Sequence, residues 1–116
     1  MNYETLIVDK DERGVVSLTL NRPEKRNALS AKMIDELTDF AASLTSDIRV
    51  TVIQGAGNLF CAGGDLEWMN AQINADRSTR IVEARKLALM LKALNELPVP
   101  LIAKVHGAAY GGGVGL

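Results

Sequence analysis

The sequence predicts an α/β domain. Three observations predict it. Short runs of β-branched and apolar residues alternate with longer amphipathic stretches, the order of these segments reads β-β-α-β-α-α-β, and glycine-containing turns follow two of the predicted strands. Helices lying between short buried strands call for right-handed crossover connections.

Residues 3–9 (YETLIVD) predict a first strand, and Lys10 to Gly14 supply turn chemistry through Asp11 and Gly14. In the following run Val16, Leu18 and Leu20 point one way and Ser17 and Thr19 the other, so the two strands predict a hairpin. Asn21 to Asn27 form a charged loop in which Pro23 forbids a further ladder hydrogen bond. Ser30 is placed to cap a helix whose apolar face carries Met33, Ile34, Leu37, Phe40, Ala41 and Leu44, with Asp35, Glu36 and Asp39 off that face. Val50 to Ile53 predict a short buried parallel strand. Asp65 is placed to cap a helix through Leu66, Trp68 and Met69. A longer helix is expected from about Arg80 to Leu97, with Ile81, Val82, Leu87, Ala88, Leu91 and Leu94 as its apolar positions, stopped by Pro98 and Pro100. Leu101 to Val105 predict the last strand.

The 116 residues are 47% apolar, enough for a packed core. Thirteen basic and fourteen acidic residues leave a net charge of −1, with no surplus directed at nucleic acid or an anionic membrane. The single cysteine, Cys61, excludes an internal disulfide framework. No secretory pattern opens the chain and no apolar run approaches bilayer length, so the expected compartment is the cytoplasm. Ten glycines occur, and Gly107, Gly111, Gly112, Gly113 and Gly115 fall in the last ten residues. Such a cluster shapes a turn between packed elements, which leads us to expect that residues 1–116 are the N-terminal part of one longer domain.

Two turns hold the chemistry-bearing pattern: residues 60–65 (FCAGGD) and residues 107–113 (GAAYGGG). Glycine admits positive φ and lets a ligand approach main-chain N–H groups, and the first amides of a helix have no internal acceptor. Two such turns side by side can each offer an N–H to one oxygen, the arrangement of an oxyanion hole. Spacing alone reads equally well as two tight strand-to-helix turns. Neither turn has the Gly-Lys-Ser/Thr of a phosphate loop, and G-x-G-x-x-G fails from both Gly55 and Gly111. No His/Cys/carboxylate cluster suggests a metal. Cys61 reads as a small buried residue, His106 as a structural hydrogen-bond partner, and Trp68 and Met69 as packing residues.

Four stretches in order carry a resemblance. Residues 20–29 (LNRPEKRNAL), residues 60–66 (FCAGGDL), residues 98–107 (PVPLIAKVHG) and the glycine triplet 111–113 resemble the signatures of the crotonase, or enoyl-CoA hydratase/isomerase, family. They cover nearly the whole chain. The resemblance implies a crotonase-like β-β-α superhelix, of which this is the N-terminal portion. It implies that the N–H groups of Gly64 and Gly112 hold a thioester oxygen. It places the main chain of Ala62, Gly63, Gly64, Asp65 and Leu66 along an acyl-CoA site, with Lys25, Arg26 and Ala28 near the CoA. By chemistry alone Lys25 and Arg26 are a solvated charged loop. Acyl-CoA is then a substrate, no cofactor is implied, and the whole domain is expected to form a homo-oligomer, trimeric or hexameric.

One position departs from the pattern. Hydratases of the family often carry a glutamate two residues after the triplet as acid/base; here it is Gly115, which cannot transfer a proton. Relatives resembling residues 108–116 with glycine there include hydratases of branched or carboxylated enoyl-CoAs such as methylglutaconyl-CoA. Three functions stay open: hydration of an enoyl-CoA, isomerisation of its double bond, and non-catalytic CoA binding. Residues 1–116 alone are expected to be inactive.

Overall fold

A computed structural model describes residues 2–116. The chain forms β1 (Leu6–Lys10), β2 (Val15–Leu20), a single 3-10 turn (Pro23–Lys25), α1 (Ala31–Ala42), β3 (Val50–Gly55), α2 (Leu66–Asn74), α3 (Arg77–Asn95), β4 (Leu101–Ala103) and the one-turn α4 (Gly112–Gly115). One sheet has the order β1-β2-β3-β4. The hairpin is antiparallel, with Leu6 opposite Leu20 and Lys10 opposite Val16. β3 runs parallel to β2, pairing Val15 with Val50 and Leu20 with Gly55, and β4 runs parallel to β3. The order matches the sequence expectation, while β1 begins three residues later than the expected strand.

The alternation in β2 sends Val16, Leu18 and Leu20 into the core and leaves Val15, Ser17 and Thr19 half-buried. Met33, Ile34, Leu37 and Phe40 of α1 pack against them, and Met90 and Leu94 of α3 close the cluster. Burying each of these large side chains contributes about 1.5–3 kcal/mol, so the cluster is the principal force holding α1 and α3 on the sheet. Ser30 caps α1 by accepting from the Met33 N–H at 3.2 Å, as its position predicts.

Two expectations are corrected. Glu36 lies off the apolar face of α1 yet is buried. Its carboxylate accepts from the backbone N–H groups of Glu4 and Thr5 and from the Thr5 hydroxyl, tying α1 to the start of β1. Charge burial is compensated because three donors converge on it. In α3 the helix starts earlier, at Arg77, capped by Asp76. Its inward stripe is Leu87, Met90, Leu91 and Leu94, the i, i+3, i+4, i+7 pattern, with Met90 and Leu94 buried and Leu87 and Leu91 partly so, whereas Ile81 and Val82 are half exposed. No helix among the described residues is long and apolar enough to cross a membrane.

Candidate active site

The loop after β2 is shaped by Asn27. Arg26 and Asn27 both adopt positive φ (54° and 55°), a conformation asparagine tolerates better than most residues. The Asn27 side chain is fully buried. Its Oδ1 accepts from the Arg22 N–H at 2.8 Å, and its Nδ2 faces the carbonyls of Ala56, Leu59 and Phe60 at 2.8, 3.1 and 3.2 Å. One side chain therefore joins the loop after β2 to the loop after β3.

That junction sets three backbone segments side by side. The Leu29 N–H donates to Gly63 (2.7 Å) and the Asp65 N–H donates to Leu29 (3.0 Å), a parallel bridge between Leu29 and Gly64. On the other flank Cys61 bridges Ala109, with the Tyr110 N–H donating to the Cys61 carbonyl at 3.0 Å. Residues 60–65 are the central segment. Gly63 is required there: its φ is +96°, and a Cβ would lie 2.8 Å from the Tyr110 carbonyl oxygen.

In a parallel bridge Leu29 spends both its polar groups on residues 63 and 65, so the polar groups of Gly64 itself point away from Leu29. Among the described residues neither the Gly64 nor the Gly112 amide donates a hydrogen bond. The Gly112 nitrogen lies 3.5 Å from the point a Cβ on Gly63 would occupy, so the two turns are in close contact. Both glycines border one cavity of about 670 Å³. Lys25, Arg26, Ala28, Ala62, Gly63, Asp65 and Leu66 line it too, so every site residue expected from the sequence is brought together there. Glu24, Glu67, Met69 and Gly111 complete the wall. Lys25 and Arg26 are exposed at its edge.

Three titratable side chains in or near the two turns have structural roles. Asp65 caps α2, its Oδ1 accepting from the Trp68 N–H at 3.0 Å. Its Oδ2 lies 3.0 Å from Nη2 of Arg22. Burial pushes this carboxyl up, but the Trp68 amide and the Arg22 guanidinium outweigh it and hold its pKa below the ordinary carboxylate value. Asp65 is thus an anchored carboxylate. Burial raises the Cys61 thiol above its usual value, which keeps it protonated and a poor nucleophile. Nε2 of His106 is 2.8 Å from the Gly57 carbonyl, a structural contact as its position suggested. The sequence reading missed Arg22 and Asn27 as side chains that shape the site. Their only sequence signal was their place in the loop motif of residues 20–29.

Fold and cavity together define the crotonase class: strands of a largely parallel sheet deliver two glycine turns to one pocket. The enoyl-CoA hydratase/isomerase family model matches residues 10–116, and the chain belongs to that family. It is 34% identical over 125 residues to the mitochondrial Δ(3,5)-Δ(2,4)-dienoyl-CoA isomerase of Mus musculus, covering 99% of this chain and 38% of the mouse protein. An enoyl-CoA hydratase structure from Mycobacterium smegmatis matches at 40% identity and a TM-score of 0.85, over 91% of this chain and 41% of that one. One from Shewanella pealeana matches at 30% identity and a TM-score of 0.91, over 96% and 42%. The chain spans about two fifths of the length of these relatives.

Proposed function

We propose that the chain supplies the thioester-polarising part of an acyl-CoA site, and that the complete protein hydrates an enoyl-CoA. The observation that carries this reading is the pair of unengaged amides, Gly64 and Gly112, bordering one cavity. Hydration builds negative charge on the thioester oxygen, and two fixed N–H donors stabilise that charge without reorganising during the reaction. Lys25 and Arg26 at the rim offer cations to the phosphates of CoA. Asp65 is held by Arg22 and the α2 cap, and Gly115 carries no acid; Glu24 and Glu67 are the other carboxylates on the cavity wall, and the reading assigns proton transfer to the remainder of the complete protein. The same reading includes a homo-oligomer acting in the cytoplasm.

Isomerisation of a double bond is the second reading, supported by the name of the mouse relative. It needs the same polarised carbonyl and a single proton carrier.

The test is Gly112→Pro in the complete protein. Gly112 is the first residue of α4, a position proline can take; the N–H is lost, and Leu29 Cδ1, 3.2 Å from the new Cβ, must shift by a few tenths of an ångström. We expect enoyl-CoA turnover to fall by about 100-fold or more, the scale of losing one oxyanion donor. Unchanged turnover rejects the role of Gly112. The product formed from a 2-enoyl-CoA and from a 3-enoyl-CoA separates hydration from isomerisation.

A further inference from the structure

We propose that Arg22 is a positioning residue for the Gly64 amide, acting as a staple across the bridge that carries it. This rests on the oxyanion reading above and adds to it the side chain that fixes the donor's direction. Ala28 precedes Leu29 on one segment, and Asp65 follows Gly64 on the other. The Arg22 guanidinium reaches both. Nη1 donates to the Ala28 carbonyl at 2.6 Å, and Nη2 pairs with Oδ2 of Asp65 at 3.0 Å. The two side chains are only 16% and 8% exposed, so solvent screens the pair little.

Arginine suits this task because its planar fork serves two acceptors at once, which the single ammonium of lysine cannot do with fixed geometry. The two oxygens of Asp65 divide their work: Oδ1 caps α2 and Oδ2 meets Arg22. Losing Arg22 therefore leaves the helix cap in place and releases the turn. Arg22 is itself held at the backbone, its N–H by Asn27 Oδ1, and its carbonyl by the N–H groups of Lys25 and Asn27. The staple thus runs from a clamped loop, over the Leu29–Gly64 bridge, to the first residue before α2. Its effect falls on the angle of the Gly64 N–H. An error of about 1 Å in such a donor is enough to cost about 100-fold in rate.

The experiment compares Arg22→Met, Asp65→Asn and the double variant in the complete protein, with Arg22→Lys as the conservative form. Three quantities are read: thermal stability, kcat against KM, and the infrared carbonyl stretch of a bound acyl-CoA thioester. Arg22→Met leaves the Asp65 charge buried and unpaired, so stability drops; the double variant removes that charge and restores stability. Asparagine keeps the cap in Asp65→Asn and in the double variant. We expect kcat to stay at least tenfold down in the double variant, KM to change less than about threefold, and the carbonyl shift to shrink, because the staple is absent in both cases. Arg22→Lys is expected to recover less than half of the lost kcat. If kcat recovers together with stability in the double variant, or the carbonyl shift is undiminished, Arg22 is structural only and the inference is overturned. If the unaltered protein shows no carbonyl shift at all, the oxyanion reading fails and this inference with it.

Discussion

The two glycine turns meet at one cavity but are built differently. The first, residues 60–65, is held from several directions: by Leu29 on one flank, by Ala108 and Tyr110 on the other, by Asn27 from beneath and by Arg22 through Asp65. The second, residues 107–115, hangs on the first. Its Tyr110 amide bonds Cys61, and Gly113 sits so close that a Cβ would be 2.6 Å from the Cys61 carbonyl. Its outer side is open, with Tyr110 and Val114 exposed and nothing within 4 Å of a Cβ on Gly111. The difference teaches where precision resides. The first turn is rigid by its own contacts, and the second inherits its position.

That comparison is broken most severely by Asn27→Ala. It strips a buried donor from three carbonyls and an acceptor from the Arg22 amide, and places alanine at positive φ. We expect a loss of about 3–5 kcal/mol, measured by urea denaturation, since unpaired buried groups cost about 1–3 kcal/mol each and partly relax. A loss below about 1 kcal/mol would show that the loops hold together without this clamp.

Gly63→Ala comes next, because the new Cβ meets the Tyr110 carbonyl and pushes the second turn off the first. Strain plus overpacking predicts about 2–4 kcal/mol by thermal melting. Acyl-CoA affinity is expected to fall further than stability alone explains. If affinity is retained, the second turn has its own support.

Acid sharpens the contrast with the smallest effect. The second turn, residues 107–115, contains no carboxylate, whereas the first contains Asp65, whose pKa is depressed when folded. A depressed carboxylate contributes stability that is complete above its unfolded pKa, about 3.9, and is lost as pH falls through the lower folded value. Glu36 shifts in the same direction: burial raises it, and the Thr5 hydroxyl with the Glu4 and Thr5 amides overcomes that rise. We therefore expect stability to be flat from pH 7 to about 5 and to decline below about pH 4. Asp65→Asn is expected to flatten part of that decline, followed by chemical denaturation at each pH. An unchanged acid profile in that variant would remove Asp65 from the account.

Much of the fold was legible because its signals are local. The alternation in β2, the Ser30 and Asp65 caps and the proline stop after α3 each depend on neighbours within a few residues. The residues that line the cavity were legible through four ordered motifs. What stayed hidden depends on contacts across the chain. Glu36 looked solvent-facing because its partners lie more than thirty residues earlier. The stripe on α3 was read from apolar residues alone, which names candidates for a face without saying which turn of the helix meets α1, so Ile81 and Val82 were included and Met90 was not. Arg22 was read as part of a charged loop, since its carboxylate partner sits forty-three residues away by number, in a segment read as a cap.

The unengaged amides that Gly64 and Gly112 bring to the edge of the cavity belong to the polypeptide backbone. Every amino acid except proline carries such a group, so the function proposed for them depends on where the backbone runs more than on which side chains it carries. On that proposal the surrounding acids, and with them the reaction, can change while the shape of the two turns stays as it is.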